Sequence, residues 1–382
     1  MNRIRSSTFS TRALLLVLVL LLVAPVPSLL ANAPGSKRER VARYVILISV
    51  DGLRPEAIRR HSPKELPNFY RLREEGAFTD NARTDVDYSN TLPNHTTQLT
   101  SRPVMGTYGH NWTSNGVPGP DETLHSNKGR YVASVFDVAH DHGLRTGAYV
   151  SKKKFVLFDR SYDENHGAVD VTGEDNGRDK IDTFVINKET KDLVAQFVRD
   201  MKADPYHYAF VHLRDPDATG HTRFWNLRKS SPYMRAIRKV DGLLGQILDM
   251  IDNDPRLKGN TTIVLTADHG GTTFNHGNPA RASNYTIPFY VWGAGVTSGD
   301  LYELNRDVRK DPEGGRPGYS HAMQPIRNGE AGNFALSLLG LPPIPGSQLN
   351  VIAQLGVSVP ENLAADEEAP RNENNPVLEL MN

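Results

Sequence analysis

The chain has 382 residues, and its 44 Lys and Arg residues balance its 44 Asp and Glu residues. This length can bury a large core, as one big α/β domain or two smaller ones, and the balanced charge gives no indication of a nucleic-acid or membrane-surface binder. Because the chain contains no Cys, disulfides, thiolate zinc sites and a cysteine nucleophile are excluded, and any metal must be held by Asp, Glu, His or hydroxyl groups.

Residues 1–33 have the composition of a secretory signal peptide. Arg3, Arg5 and Arg12 precede an apolar run at residues 13–24, and small residues follow at 31–33. This order of basic, apolar and small residues is typical of a segment that is removed on export. The apolar run is short for a membrane-spanning helix, and an uncleaved anchor is the alternative. We therefore expect an exported protein, periplasmic or secreted, without stable membrane insertion after cleavage at a site that the sequence leaves open.

Residues 40–350 alternate between strand-like and helix-like segments. The nearly continuous apolar run at Tyr44–Val50 predicts a strand that is buried on both faces. Further strands are predicted at residues 145–150, 208–213, 261–266 and 287–292. Helices are predicted at residues 67–76, 91–99, 132–142, 188–202, 232–251 and 333–339. This alternation predicts one α/β domain, a three-layer sandwich whose mostly parallel central sheet is flanked by helices.

Three segments fall outside this alternation. Residues 101–130 are rich in Gly, Pro, Asn and Ser, which predicts a loop that forms the wall of a pocket. Residues 161–182 are polar and contain Gly, which predicts a loop or a small cap. Residues 360–382 are acidic and rich in Pro and Asn, so we expect a disordered tail there.

Acidic residues and His follow several of the predicted strands. Asp51 follows the first strand, Asp217 and His221 follow the strand at 208–213, and Asp268 and His269 follow the strand at 261–266. A single Asp at such a position often only caps the next helix. Ligands of open α/β sheets, however, bind beyond the carboxyl ends of the strands. Several such residues together favour a metal site, for which carboxylates and imidazoles suit zinc and also accept other divalent metals.

Thr91 stands at the start of a predicted helix, where backbone N–H groups and the helix dipole favour an anion. Its alternative role is a simple helix cap. A free threonine hydroxyl is a weak nucleophile at neutral pH and needs activation. Two metal ions about 3.5–4 Å apart can activate it and neutralise both the attacking and the leaving oxygen. The pattern therefore predicts a phosphoryl-transfer enzyme.

Four motifs together resemble the alkaline phosphatase superfamily, and their order and spacing are closest to its type I phosphodiesterase/nucleotide pyrophosphatase branch. The motifs are Ser49-Val50-Asp51-Gly52, Thr91-Leu92-Pro93-Asn94-His95, Pro216-Asp217-Ala218-Thr219-Gly220-His221 and Ala267-Asp268-His269-Gly270. They extend over residues 44–295, most of the chain that follows the signal segment. The resemblance implies an alkaline-phosphatase-like fold and a two-zinc site with a threonine nucleophile.

The resemblance also implies a role for each matching residue. Asp51, Thr91, Asp268 and His269 are expected to hold the zinc ion that activates the nucleophile.

The second zinc ion is expected to bind Asp217, His221 and a third His. His276 is expected to be that third ligand because it belongs to a His-Gly pair before the next strand, as in the family. The spacing to that strand is longer than in the family pattern, and His321 is the alternative.

The family also has an Asn that donates to a phosphoryl oxygen, a role like that of an oxyanion hole. Asn115, five residues beyond His110, matches this position, and Asn111 is the second choice. Residues 152–154 are three consecutive Lys, which we interpret as a solvated basic turn, with phosphate binding as the alternative.

The sequence therefore favours an exported two-zinc phosphohydrolase that cleaves phosphodiester or nucleotide pyrophosphate bonds through a phospho-threonine intermediate. The expected partner is a small phosphoester substrate and not a nucleic acid, and the oligomeric state stays open. A phosphomonoesterase or phosphonate hydrolase on the same scaffold is the first alternative, since residues 101–130 and 161–182 carry no motif that decides the substrate. A catalytically inactive homologue that only binds ligands is the second. A formylglycine sulfatase is disfavoured because it needs Cys or Ser in place of Thr91.

Overall fold

The computed structural model describes residues 39–358. The predicted signal peptide at 1–33 and the predicted tail at 360–382 lie outside the described residues, so both stay predictions. Among residues 39–358, no helix is both long enough and apolar enough to cross a membrane.

The described residues form eight strands and twelve α-helices. The strands are β1 Tyr44–Val50, β2 Ala77–Arg83, β3 Thr146–Val150, β4 Thr183–Ile186, β5 Tyr208–Leu213, β6 Thr261–Thr266, β7 Thr286–Gly293 and β8 Gly299–Asp300. The helices are α1 Pro55–Arg59, α2 Pro67–Glu75, α3 Thr91–Thr100, α4 Leu124–Lys128, α5 Val135–Asp141, α6 Val156–Ser161, α7 Thr190–Ala203, α8 Asp215–Arg223, α9 Pro232–Asn253, α10 Ala282–Tyr285, α11 Leu301–Leu304 and α12 Ala331–Leu338. Short 3-10 turns occur at Lys153–Phe155 and Asn328–Glu330.

All eight strands belong to one sheet, in the order β4-β3-β5-β1-β6-β7-β2-β8. The strands from β4 to β6 are parallel to one another, whereas β7 is antiparallel to both β6 and β2. β1 lies between β5 and β6, and all seven of its residues are buried. A strand that is apolar on both sides must be covered on both faces, which requires helices above and below the sheet.

The helices form two groups. In the first, α3, α5 and α12 contact one another, and α12 also contacts β1 and β6. In the second, α1, α2, α7 and α8 all contact the long helix α9. One apolar stripe of α9, which includes Ile237, Leu244 and Ile251, is buried. The predicted α/β fold with a mostly parallel sheet and flanking helices is thus confirmed.

The strand β2 is not predicted by its sequence pattern. Its residues include Asp80, Asn81 and Arg83, which give no apolar alternation, so local propensity did not reveal it. The strand forms because it pairs with the apolar strand β7, and because Asp80 takes part in a salt bridge with Arg73. Residues 101–130 hold the short helix α4 and are otherwise irregular.

Candidate active site

The predicted functional residues meet at the carboxyl ends of three neighbouring parallel strands, β5, β1 and β6. Asp51 directly follows β1, Asp217 lies in the first turn of α8 after β5, and Asp268 follows β6 by two residues. The backbone N–H of Asp217 donates to the carbonyl of Asp51 (3.0 Å), which joins two of these strand ends directly. Parallel strands bring their ends to one edge of the sheet, which is why residues far apart in the chain form one cluster.

The first group of possible metal ligands consists of Asp51, Asp217 and His269, whose ligand atoms all lie within 4.8 Å of one another. His269 Nε2 is 3.5 Å from Asp51 Oδ1 and 3.1 Å from Asp268 Oδ2. It is also 3.3 Å from the hydroxyl oxygen of Thr91, the first residue of α3. Thr91, Asp51, Asp268 and His269 therefore face one another, as the family resemblance implies.

The second group consists of Asp217, His221 and His276. The Nε2 atoms of His221 and His276 lie 3.2 and 3.6 Å from Asp217 Oδ1, and 3.2 Å from each other. Asp217 belongs to both groups, so the two groups adjoin. His321, the alternative third His, is exposed and does not belong to either group.

Three buried carboxylate oxygens in this cluster point at the imidazoles. Asp51 Oδ1, Asp217 Oδ1 and Asp268 Oδ2 find no hydrogen-bond donor among residues 39–358. A buried carboxylate oxygen without a partner is costly in free energy, and such atoms in a native fold require an explanation. A bound divalent cation supplies one for all three, so the carboxylates present fit metal ions.

The three imidazoles are oriented by backbone carbonyls. The Nδ1–H groups of His221, His269 and His276 donate to the carbonyls of Phe274 (2.8 Å), Gly270 (2.7 Å) and Ser89 (2.5 Å). These bonds fix the tautomer and leave the Nε2 lone pair of each ring directed at the carboxylates, which is the arrangement of metal-binding His. Burial lowers the pKa of His276 to about 3, so this ring is neutral at pH 7.

The electrostatics of the carboxylates also favour cations. Burial raises the pKa of Asp51, but the ammonium of Lys152 and a hydrogen bond from His212 outweigh burial and hold that pKa well below its usual value. Burial and the charge of Asp51 together raise the pKa of Asp268 well above its usual value. A cation beside Asp268 would reverse this effect, since an opposite charge favours the ionised carboxylate.

Asn115 reaches the start of α3, as expected for a phosphoryl-oxygen donor. Its Oδ1 atom accepts hydrogen bonds from the backbone N–H of Leu92 (2.9 Å) and from Lys154 Nζ (3.1 Å). Because two donors contact the same atom of Asn115, that atom is the amide oxygen. The NH2 group of the side chain can then donate a hydrogen bond to a substrate oxygen. Asn111, the second choice, has a left-handed backbone (φ 61°), and its carbonyl accepts from Asn127.

The interpretation of residues 152–154 as a solvated basic turn was wrong for two of the three Lys. Lys152 is mostly buried, and its Nζ lies 2.6 Å from Asp51 Oδ2 and 2.5 Å from Asp217 Oδ2. Lys154 contacts Asn115, and only Lys153 is exposed. The segment follows β3, the neighbour of β5, so its position at the same sheet edge is what brings these Lys to the site. That neighbour relation cannot be seen in the sequence.

His212 is a further residue of the site that its sequence pattern does not predict. It lies in β5, and its Nε2 donates to Asp51 Oδ2 (2.9 Å), while its Nδ1 contacts the Ser151 hydroxyl (2.9 Å). Hydrogen bonds of this kind orient a metal-binding carboxylate. The available signal was a single His inside an apolar strand that leads into the Asp217 motif.

Trp225 joins three of the motif segments. Its indole N–H donates to the carbonyl of Gly52 (3.0 Å), and the ring packs on Gly220 and Gly271. A Cβ atom at Gly220 or Gly271 would lie 2.3 or 2.1 Å from this ring, so both positions need glycine. Gly52 has φ +72°, and a Cβ there would lie 2.9 Å from the Asp217 Cα atom. The glycines of the motifs therefore let the ligand-bearing segments approach one another.

Comparison with known proteins identifies a matching family model and solved structures with a similar fold. Residues 45–311 match the family model described as type I phosphodiesterase / nucleotide pyrophosphatase. Murine ectonucleotide pyrophosphatase/phosphodiesterase 5 has a similar fold, with a TM-score of 0.54 and 16% identity over 79% of this chain and 96% of that protein. The lipoteichoic acid synthase LtaP from Listeria monocytogenes has a TM-score of 0.54 and 13% identity over 82% of this chain and 74% of its own.

Curated relatives include GPI ethanolamine phosphate transferase 1 of Schizosaccharomyces pombe, which is 25% identical over 296 residues. That alignment covers 69% of this chain and 28% of the relative, so this chain spans about a quarter of the relative's length. The human protein of the same name is 28% identical over 152 residues, which are 37% of this chain and 15% of that protein.

Proposed function

The chain belongs to the type I phosphodiesterase/nucleotide pyrophosphatase family, and on that premise we propose that it is an exported two-zinc phosphohydrolase. It cleaves phosphodiester or nucleotide pyrophosphate bonds through a phospho-threonine intermediate. The observation that carries this proposal is the position of the Thr91 hydroxyl, 3.3 Å from His269 Nε2 at the first turn of α3. Two buried carboxylate oxygens without a hydrogen-bond donor among residues 39–358, Asp51 Oδ1 and Asp268 Oδ2, lie 3.5 and 3.1 Å from the same His269 Nε2 atom.

Two sets of residues would hold the metals. Asp51, Thr91, Asp268 and His269 would hold the first zinc ion, and the second group defined above, with Asp217 at its centre, would hold the other. Zinc ions, when bound, act as Lewis acids that lower the pKa of an attacking oxygen and neutralise charge on a leaving oxygen. Other divalent metals suit the same donor set.

The protein's own residues then carry out the displacement. The Thr91 hydroxyl releases its proton to solvent and its oxygen forms a bond to phosphorus. The bond from phosphorus to the leaving oxygen breaks, and its electron pair goes to the leaving group. The Asn115 NH2 group donates to a phosphoryl oxygen, where charge accumulates, and the positive end of the α3 dipole stabilises that charge. Attack by water on the phospho-threonine releases the product and restores the Thr91 hydroxyl.

The test compares wild type with Thr91→Ala and Thr91→Ser. Each zinc-loaded protein is assayed side by side with a nitrophenyl phosphodiester and a nitrophenyl phosphomonoester, and its zinc content is measured. We expect diester turnover in wild type, Thr91→Ala to lose it while zinc stays bound, and Thr91→Ser to keep part of it. An acid quench followed by mass spectrometry should find the phosphate on residue 91 in wild type.

Other outcomes identify the alternatives. Dominant monoester turnover would mean a phosphomonoesterase on the same scaffold. If neither ester is cleaved, phosphonates are tested next. Zinc binding without turnover of any of these substrates would mean an inactive binding homologue. Full activity of Thr91→Ala would contradict the nucleophile.

A phosphotransferase is a second candidate, and the fission-yeast relative favours it because its name describes the transfer of ethanolamine phosphate. The same threonine intermediate would then pass its phosphoryl group to an alcohol in place of water. Adding ethanolamine or glycerol to the diester assay separates the two functions. A hydrolase releases the free phosphoryl product at every acceptor concentration, whereas a transferase shifts its product to the acceptor ester.

Export is proposed from the composition of residues 1–33 alone. Expression of the full chain in a bacterium, followed by N-terminal sequencing of the protein in the periplasm and the medium, tests it. An intact N-terminus on protein retained in the cytoplasm would contradict export.

A further inference from the structure

Three consecutive Lys follow strand β3, and their side chains have different environments. Lys152 and Lys154 turn toward the candidate site, whereas Lys153, between them, is exposed to solvent. The 3-10 turn at Lys153–Phe155 and the packing of the buried Phe155 hold the segment in this position. We call Lys152 and Lys154 the lysine pair. Lys153, which lies between them and is exposed, serves as the control residue for substitutions in this segment.

Lys152 connects the two ligand groups. Its Nζ is 2.6 Å from Asp51 Oδ2 and 2.5 Å from Asp217 Oδ2, and its side chain is 14% exposed. The ammonium therefore forms a salt bridge with both carboxylates at once. It contacts the outer oxygens of both carboxylates and leaves Asp51 Oδ1 and Asp217 Oδ1, the oxygens that face the imidazoles, without a donor among the described residues.

Lys154 lies at the other end of the reacting centre. Its Nζ is 3.1 Å from Asn115 Oδ1, the atom that also accepts the backbone N–H of Leu92, the residue after Thr91. The ammonium of Lys154 therefore lies beside the helix N-terminus at which a phosphoryl group would bind. An ammonium has three donors, so Lys154 can contact Asn115 and a substrate oxygen at the same time.

The charges of the site indicate what kind of substrate it accommodates. The three aspartates and an ionised Thr91 would bring four negative charges, which two divalent cations cancel. The lysine pair then adds two positive charges in a buried region, where electrostatic effects are larger than in water. A simple phosphodiester carries one negative charge, so one of the two positive charges of the lysine pair stays without a negative counterpart.

We propose that Lys152 and Lys154 form an anion-recognition pair, which selects phosphoryl substrates that carry a second negative charge on the reacting phosphorus or on a group bonded next to it. This inference rests on the proposed function, within which it favours a nucleotide pyrophosphate over a simple diester; a preference for the monoester would instead match the phosphomonoesterase alternative. Lys154 contacts the substrate directly, and Lys152 positions Asp51 and Asp217. Phosphomonoester dianions and pyrophosphates share this chemistry, and uncharged substituents on a diester do not provide it.

The first experiment measures binding and not turnover. Inorganic phosphate is titrated by calorimetry into zinc-loaded wild type, Lys154→Met and Lys153→Met, with zinc content determined for each. Because a hydrogen bond to a charged group contributes enough free energy for about a 10–100-fold change in affinity, we expect Lys154→Met to bind phosphate that much more weakly. Lys153→Met removes the same charge from the same segment and should bind like wild type. Equal affinity of wild type and Lys154→Met, or equal losses in the two variants, would overturn the proposal.

The second experiment uses three substrates: a nitrophenyl monoester, a nitrophenyl methyl diester and a nucleotide pyrophosphate. We expect kcat/KM of Lys154→Met to fall more for the monoester or the pyrophosphate than for the diester. The larger loss identifies where the second charge lies, on the reacting phosphorus or beside it. An equal loss for all three substrates would overturn the proposal.

The two proposals fail in distinguishable ways. Phosphate binding that depends on Lys154, without turnover of any ester, would contradict the enzyme function and leave the lysine pair supported. Diester turnover that depends on Thr91, with phosphate affinity unchanged in Lys154→Met, would support the enzyme function and contradict the proposed role of the lysine pair.

Discussion

His212 Nε2 donates to Asp51 Oδ2 across 2.9 Å, inside the sheet and away from solvent. The bond orients the carboxylate so that its other oxygen, Oδ1, faces His269. Residues that orient a metal ligand in this way contribute strongly to metal affinity although they do not touch the metal.

Replacing His212 therefore tests whether Asp51 is a ligand. We expect His212→Ala to lower zinc affinity by about 10–100-fold, since the carboxylate loses its fixed orientation. Competition with a chromogenic chelator measures the affinity. His142→Ala, which removes a partly exposed His on the same chain, serves as the control and should not change it. Unchanged zinc affinity in the His212 variant would show that Asp51 does not depend on this bond.

Gly271 and Gly277 provide a matched pair of substitutions near the imidazole ligands. A Cβ at Gly271 would lie 2.1 Å from the Trp225 ring, whereas among the described residues nothing lies within 4 Å of a Cβ at Gly277. Overpacking of a buried site typically costs about 1–3 kcal/mol, so Gly271→Ala should unfold at lower urea concentration and lose zinc, and Gly277→Ala should do neither. Urea unfolding curves and zinc analysis measure both effects. Equal unfolding midpoints and equal zinc contents of the two variants would contradict this packing.

His110 predicts a pH dependence of stability. Its Nδ1 accepts the Trp112 N–H (3.0 Å) and its Nε2 contacts the Thr97 hydroxyl (3.0 Å), so the ring is held neutral. Burial lowers the pKa of His110 to about 3, compared with 6.5 in the unfolded chain. Between these two pKa values the unfolded state binds more protons than the folded state. The free energy of unfolding therefore decreases as the pH falls below 6.5, by roughly 4 kcal/mol at pH 3.5.

Urea unfolding of the metal-free protein at pH 7.5, 6 and 5 measures this loss. A glutamine cannot take up the proton, so His110→Gln should show a shallower fall of unfolding free energy with decreasing pH than wild type. The exposed His166, replaced by Gln, is the control and should keep the wild-type slope. Parallel slopes for wild type and His110→Gln would refute the assignment.

Metal removal should destabilise the folded chain. Without cations, the mutual repulsion of Asp51, Asp217 and Asp268 in a buried cluster is opposed mainly by Lys152. Zinc at about 1,000 times its dissociation constant would add about 4 kcal/mol to the free energy of unfolding. We expect a chelator to lower the melting temperature by several degrees and added zinc to restore it. A melting temperature that changes neither with the chelator nor with added zinc would contradict a metal site.

How much the sequence revealed depends on whether a residue belongs to a local pattern. Asp51, Asp217 and Asp268 follow strands whose apolar runs are unmistakable, so their common position at one sheet edge could be predicted. His276 was expected from its Gly neighbour, and the structure indeed groups it with Asp217. Their role as ligands stays a prediction.

Residues whose position depends on strand order could not be predicted in this way. Lys152 is near Asp51 only because β3 pairs with β5, which pairs with β1. The strand β2 lacks an apolar pattern and depends on its partner β7. Strand order is set by long-range packing and not by local propensity, which is why both features were missed.

The indole of Trp225 touches the segments that carry Asp51, His221 and His269, so it can serve as an optical probe of the site. Trp112 and Trp292, the other two tryptophans, bond elsewhere, to Ser114 and Glu75. Replacing these two with Phe would leave a single tryptophan, in contact with three ligand-bearing segments. Its fluorescence would then follow the arrival and departure of metal in real time, without an added dye and without a substrate.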